Sequence, residues 1–251
     1  MMKRSLLTIS AALLLLTGCG EASKPAAEPV SSAADTSAAE TTTAPETTAP
    51  AADSEAKDGE ISAEVAAQME TYTIGDTGIS LMLPKNWDIR GFYLKDGGDW
   101  SSRFGQDMLP IVAVAGEDNT LKMPKDRVRY HALPPEGSEA GDSRLHDDIV
   151  IRVDKTREKT DLAAYAEGRV PDGDIGAPEE VVLETEDGRE FPGVMIGYAG
   201  QVPTFPDSAV YGVCLWCDLE EKGCSLFVCV QYDSEKYEPL LDAVMDSIAV
   251  E

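Results

Sequence analysis

Four cysteines near the carboxyl end are the residues with the most obvious chemical potential. Cys214 and Cys217 have C-x-x-C spacing, and Cys224 and Cys229 follow in the next apolar stretch. That spacing could serve thiol redox chemistry or form half of a zinc site. A thioredoxin-type pair opens a helix, whereas this pair lies in a strand-like stretch without the tight turn typical of zinc ribbons. We therefore expect neither chemistry, and disulfides or buried free thiols remain as alternatives.

The strands that carry these cysteines predict how they meet. Ala209 to Leu219 and Cys224 to Tyr232 read as a hairpin around a turn at residues 220–223. If Leu219 lies opposite Cys224, antiparallel register pairs Cys214 with Cys229 and leaves Cys217 and Cys224 together on the other face. We expect Cys214 and Cys229 to be cross-strand neighbours, forming either a disulfide or a thiol pair.

Other chemical motifs are sparse. The chain has two histidines, His131 and His146. His146-Asp147-Asp148 could begin a cation site, but no second histidine follows at ligand spacing, so we expect the solvated start of a strand. The Gly-x-Ser-x-Gly motif of hydrolases is absent, and among 46 acidic residues a carboxylate pair discriminates nothing. We predict no catalytic, metal or cofactor-binding residue.

The amino terminus indicates export and a lipid anchor. Lys3 and Arg4 precede an apolar run, Leu6 to Leu16, which is too short to span a bilayer but is typical of a signal peptide. Leu16-Thr17-Gly18-Cys19 resembles the lipobox of bacterial lipoproteins. That resemblance implies a diacylglyceryl group on the Cys19 thiol and cleavage just before it. We expect residues 1–18 to be the signal peptide and Cys19 to hold the chain on the extracytoplasmic face of the cell membrane.

Residues 19–60 read as a disordered tether. The segment is built from Ala, Thr, Pro, Glu and Ser, with almost no large apolar residues to form a core.

The formal charge of the whole chain is −25, and loss of Lys3 and Arg4 would make it −27. Because a chain this acidic is repelled by phosphate backbones, we exclude nucleic acid as a partner.

Residues 61–251 are predicted to form one α+β domain. Alternating or apolar stretches predict strands, and Asp187-Gly188 predicts a second hairpin between Val181–Glu186 and Arg189–Tyr198. Thr160 is expected to cap a helix over Asp161–Glu167. A last helix is predicted from Tyr237, Leu240, Leu241, Val244 and Ile248, which share one face. Met108 to Ala115 reads as a buried strand, and Gly116 to Arg144 as a long surface excursion.

Three segments carry a resemblance to PsbP-like domains. They are GISLMLPKNWDI from Gly78, the helix from Thr160 to Gly168, and YEPLLDAVMDSI from Tyr237. The family includes an extrinsic photosystem subunit, the Ran-binding Mog proteins and many bacterial lipoproteins. The resemblance implies an antiparallel β-sheet layered with helices, a PsbP-like sandwich. It implies no catalytic residues, because the family shares none.

Two classes of function fit these features. We expect a surface-anchored bacterial lipoprotein that presents a non-catalytic binding or accessory domain. Its partner would be a protein, a cell-wall component or a small molecule. The alternative is an exported hydrolase with an unidentified acidic active site. An exposed apolar patch would favour binding, whereas a pocket with converging titratable groups would favour catalysis.

Overall fold

The computed structural model describes residues 61–96, 98, 100, 107–135, 148–185, 187–202, 205–233 and 237–251. The predicted signal peptide, Cys19, the tether, His146 and Asp147 lie outside these ranges. Within the described ranges, no helix combines the length and the apolar character that a membrane span requires.

Strands dominate the described chain. The helices are α1 (Ala63–Ala67), α2 (Leu162–Arg169) and α3 (Glu238–Asp246). The strands before α2 are β1 (Met69–Ile74), β2 (Ile79–Pro84), β3 (Asp88–Leu94), β4 (Met108–Pro110), β5 (Thr120–Leu121), β6 (Arg127–Leu133) and β7 (Asp148–Asp154). Those after it are β8 (Asp174–Ile175), β9 (Glu179–Glu184), β10 (Glu190–Val202), β11 (Phe205–Leu219), β12 (Cys224–Tyr232) and β13 (Ala249–Val250).

The described strands form two sheets. The smaller sheet has the order β13-β2-β1-β5, and only its β1–β5 pair is parallel. The larger sheet has nine strands in the order β4-β3-β6-β7-β12-β11-β10-β8, and β9 also pairs with β10. All pairs of the larger sheet are antiparallel. The predicted α+β class with a mainly antiparallel sheet is therefore correct.

The larger sheet is covered on both faces. On one face, the smaller sheet and α3 enclose the main core, to which Leu81, Leu226 and Leu241 belong. On the other face, α2 packs on a second cluster through Leu162 and Ala166. Strand β7 is buried at all seven positions because it lies centrally between these two layers.

The last hairpin has the register that the sequence predicts. Leu219 lies opposite Cys224, and Cys214 lies opposite Cys229. Cys217 and Cys224 belong to the main core, whereas Cys214 and Cys229 face α2. All four thiols are buried and free in this structure.

The hairpin at Asp187-Gly188 also forms, between β9 and β10. Gly188 adopts φ +81°, a left-handed conformation that glycine takes without a steric penalty. The carboxyl-terminal helix begins with Pro239 in its first turn and buries the predicted Leu240, Leu241 and Val244 together with Ala243, whereas Tyr237 and Ile248 lie just outside it.

Two predictions between residues 108 and 144, one of a strand and one of a surface excursion, are wrong. Met108 to Ala115 is a strand only as far as Pro110, and Val112 is 85% exposed rather than buried. Gly116 to Arg144 is not simply a surface excursion, because β6 lies within it, between β3 and β7. Strand β6 buries Val128, Tyr130 and Ala132 in strict alternation, a period-two pattern that its charged neighbours conceal.

The predicted helix cap is also wrong by one residue. The N-cap of α2 is Asp161, whose Oδ1 accepts a hydrogen bond from the Ala164 N–H at 3.0 Å. Aspartate is as good a cap as threonine, and a carboxylate also interacts favourably with the helix dipole.

Candidate functional site: an arginine-lined cleft

A cleft of about 650 Å³ opens between α2 and strands β6, β7 and β12. Five cationic side chains and three carboxylates line it. The cations are those of Arg127, Arg129, Arg152, Lys159 and Arg169, and the carboxylates are those of Asp154, Glu158 and Asp161. A cationic surplus in a protein of charge −25 is unexpected for a merely solvating surface.

Sheet register explains why these side chains meet. Arg129 on β6 lies directly opposite Arg152 on β7, which lies opposite Phe227 on β12. One row across the sheet therefore places two cations side by side and an aromatic ring next to them. Like charges in direct cross-strand pairs destabilise a sheet, so this row calls for an explanation beyond packing.

Arg152 is the most unusual member of the row. It is only 8% exposed, and its Nε and Nη2 groups have no hydrogen-bond partner in the described part of the chain. Its guanidinium carbon lies 3.8 Å from the Phe227 ring centroid and 5.5 Å from that of Tyr165. Burial and the nearby Arg129 lower the pKa of Arg152 to about 10, so the side chain stays charged at neutral pH.

Two neighbouring groups also lack partners. The Nε atom of Arg129 and the hydroxyl of Tyr165 are buried without a hydrogen bond to any described residue. Both residues line the same cleft as Arg152. Buried donors are normally satisfied, because leaving one unpaired costs about 1–3 kcal/mol. Four donor atoms without a partner among the described residues therefore lie around one cleft.

The other two arginines of the cleft have partners. Arg127 donates from Nε to Asp154 at 2.7 Å and from Nη2 to Glu158 at 2.9 Å. Arg169 donates from Nη2 to Asp148 at 2.5 Å and from Nε to Gln231 at 3.0 Å. These paired arginines flank Arg129 and Arg152, whose buried Nε atoms have no partner among the described residues.

A second row across the sheet positions Arg169. Asp148, Gln231 and Gly212 lie on adjacent strands, and Tyr198 lies opposite Gly212. The Tyr198 ring covers Gly212, where a Cβ atom would lie 2.1 Å from it, and the Tyr198 hydroxyl donates to Gln231 at 2.9 Å. Gly212 is therefore required for the tyrosine to reach the amide that holds Arg169.

His131 lies beside the cleft but is a poor catalytic base. Its Nδ1 is 4.0 Å from Asp148 Oδ2, and its side chain is 24% exposed. Burial and the surrounding arginines, Arg129 first among them, lower the pKa of His131 to about 3. A general base works best with a pKa near the working pH, so His131, which is neutral at pH 7, does not suit that role.

The thiols behind the cleft are shielded from solvent. Burial raises the pKa of Cys217 to about 12 and that of Cys224 to about 11, and it raises that of Cys214 well above its usual value. Burial also opposes ionisation of Cys229, but a hydrogen bond from Cys214 and the charge of Arg169 lower its pKa. The hydroxyl of Tyr198 lies 3.5 Å from the Cys229 sulfur.

The structure brings together few of the residues that the sequence singled out. Asp148 is a buried ion-pair partner of Arg169 rather than the solvated start of a strand. Among the described side chains, no group of three or more His, Cys, Asp and Glu is placed to hold a metal ion. The assignment of Cys19 stays a prediction, since it falls outside the described ranges.

Sequence reasoning missed the arginines. A signal for one of them was present, because Arg152 interrupts the apolar run from Ile149 to Val153. A charge inside a continuously buried strand is rare unless it is paired or functional. The opposition of Arg129 and Arg152 depends on the register of β6, a strand that the charged residues between its apolar positions conceal in the sequence.

Comparisons with known proteins add a likeness of fold only. No protein-family model matches the chain, and no curated protein sequence matches it. Among solved structures, the Ran-binding protein Mog1p of Saccharomyces cerevisiae is similar, at 12% sequence identity and a TM-score of 0.36. The match covers 72% of this chain and 95% of that one. At this level of similarity, it carries no information on ligand or partner.

Proposed function

We propose that the chain is a lipid-anchored, extracytoplasmic binding protein whose domain holds an anionic ligand in the arginine-lined cleft. The observation that carries the proposal is the buried Arg152, which has two unpartnered N–H groups and faces Arg129 across the sheet. An anion would satisfy these donors and cancel the repulsion between the two guanidinium groups. The lipobox-like Leu16-Thr17-Gly18-Cys19 supports the anchor.

The chemistry of the cleft favours binding over turnover. Its cations and aromatic rings hold a ligand, and the neighbouring histidine is a weak base. The volume of about 650 Å³ lies within the usual range of small-molecule sites. We therefore prefer a non-catalytic binding domain to the exported hydrolase considered above.

The PsbP-like sandwich belongs to the same proposal. The large antiparallel sheet with α2 on one face and α3 on the other supports it. The proposed fold is no argument for the proposed ligand, because fold does not imply function. The anion-binding assignment rests on the residues of the cleft alone.

Thermal unfolding of the full chain in mild detergent tests the proposal. A ligand that binds only the folded state raises the unfolding temperature. We expect sodium salts of organic and inorganic oxyanions to raise it more than sodium chloride does at equal ionic strength.

The Arg152→Gln variant should lose this response. The matched control Arg90→Gln should keep it, because Arg90 is exposed and paired with Asp88. Equal responses of the parent and Arg152→Gln to every anion would refute the cleft as the binding site.

A further inference from the structure

The free edge of Arg152 identifies the geometry of the missing acceptor. Nε and Nη2 lie on the same edge of the planar guanidinium group, so their N–H bonds point in parallel. Both of these atoms are unpartnered among the described residues and are covered from solvent, so a ligand oxygen reaches them once the neighbouring side chains shift. Two parallel donors match two oxygens of one oxyanion.

The same domain shows what that edge binds when it is occupied. Arg157 donates from Nε to Asp218 Oδ1 at 2.8 Å and from Nη2 to Asp218 Oδ2 at 2.7 Å. Arg157 thus uses the edge that is free in Arg152 to hold a carboxylate with two hydrogen bonds. Arg152 is an equivalent donor without its carboxylate.

Charge around the cleft favours a monoanion over a dianion. Asp154, Glu158 and Asp161 line the cleft and would repel a doubly charged phosphate group. The first turn of α2 is not free to receive a phosphate, because the Asp161 carboxylate already accepts its Ala164 N–H. When Asp148, the ion-pair partner of Arg169, is counted with them, the five cations and four carboxylates leave a net charge of +1, which one carboxylate neutralises.

The remaining space is larger than a carboxylate needs and is partly aromatic. Tyr165 meets Phe227 edge to face with centroids 4.9 Å apart, and the Trp100 ring centroid lies 6.0 Å from the Arg152 guanidinium carbon. Met108 and Ala164 also line the cleft. These surfaces suit an apolar or aromatic group attached to the anion.

Building on the proposed anion-binding function, we infer that the ligand is a monocarboxylate carrying an aromatic or apolar group. Its carboxylate lies on the Nε/Nη2 edge of Arg152, within reach of Arg129. Its apolar part lies against Tyr165, Met108 and Trp100.

Calorimetric titration of the full chain with four probes at pH 8 tests the inference. The probes are phenylacetate, the neutral isostere 2-phenylacetamide, phenylphosphonate and acetate. We expect phenylacetate to bind at least about tenfold more tightly than the neutral amide, because only the anion pairs with the free edge. Phenylphosphonate should bind more weakly because of its second charge, and acetate because it lacks the apolar group.

Two matched variants locate the binding. Arg152→Lys keeps the charge but lacks the two-nitrogen edge, and we expect it to weaken phenylacetate binding about tenfold. Arg157→Lys makes the same change outside the cleft and should leave the affinity unchanged. Circular dichroism confirms that each variant is folded. The comparison among probes on the parent protein does not depend on the variants.

Each outcome separates this inference from the function on which it rests. Tighter binding of phenylphosphonate than of phenylacetate, or equal binding of the neutral amide, would overturn the carboxylate assignment. Equal affinity of the parent and Arg152→Lys would overturn the assigned contact. The proposed anion-binding function itself fails only if no anion, of any chemical class, binds the parent protein more tightly than the Arg152 variants.

Discussion

Arg152 combines burial, charge and missing partners at one residue. A buried ion without a counter-ion destabilises a folded domain. Binding sites often keep such a destabilising group because it binds the ligand. The adjacent Phe227 ring and the apolar neighbours on β7 would accept an uncharged side chain of similar length.

Arg152→Met should therefore raise the free energy of unfolding of the unliganded protein, by about 1–3 kcal/mol. Methionine fills a similar volume, contacts the Phe227 ring and removes the repulsion with Arg129. Urea unfolding at pH 7 measures the change. Arg90→Met, at an exposed position, should change the stability by no more than about 0.5 kcal/mol. A loss of stability in Arg152→Met would show that the guanidinium group has a structural partner.

His131 should make the domain sensitive to mild acid. Its pKa of about 3 in the folded state is below the ordinary value of 6.5, so the unfolded chain binds more protons between these values. The stability that this histidine contributes is present above pH 6.5 and is lost as the pH falls towards 3. The slope approaches about 1.4 kcal/mol per pH unit from this group.

The variant His131→Gln removes the contribution of this histidine to the pH dependence of stability. Between pH 7 and pH 5, where most carboxylates stay ionised, we expect the parent to lose about 1–2 kcal/mol more stability than the variant. Denaturant unfolding at several pH values measures both curves, and His146 contributes equally to each. Parallel curves would mean that the pKa of His131 is the same in the folded and the unfolded chain.

At the level of elements, the last hairpin was predictable and β6 was not. The turn length at residues 220–223 and the apolar pattern determined the pairing of Cys214 with Cys229. Strand β6 alternates three buried residues with Arg127, Arg129 and His131, so its polar half resembled a surface loop. Those polar residues lie on the cleft face of the sheet, so failure to predict this strand concealed Arg127 and Arg129, two of the five cations of the cleft.

The hairpin thiols should resist alkylation in the folded protein. Cys214, Cys217, Cys224 and Cys229 are buried, and burial raises the pKa of the first three. Iodoacetamide at pH 8, followed by peptide mass mapping, should label none of them until denaturant is added. Rapid labelling of Cys224 in the native protein would indicate that the end of the hairpin opens. Failure of Cys214 and Cys229 alone to label after unfolding would instead reveal a disulfide between them.

For the whole molecule, the predicted lipid anchor would determine on which side of the membrane the proposed binding cleft lies. The charged start, the short apolar run and Cys19 together predict acylation of that thiol. Expression of the chain in a bacterium with radiolabelled palmitate should label the parent protein. Cys19→Ala should abolish the label and leave the signal peptide uncleaved, whereas the neighbouring Gly20→Ala should behave as the parent. Equal labelling of Cys19→Ala and the parent would rule out this anchor.

The cationic cleft within an acidic chain has a consequence for association kinetics. At an ionic strength of 0.01 M the Debye length is about 30 Å, so an approaching anion is repelled by the charge of the whole molecule. At 0.15 M it is about 8 Å, and the anion then responds mainly to the arginines nearby. Added salt should therefore accelerate capture of an anion, opposite to the usual behaviour of an attractive site. Stopped-flow tryptophan fluorescence would measure this rise, and the same salt increase should speed dissociation only slightly because the contacts in the cleft are buried.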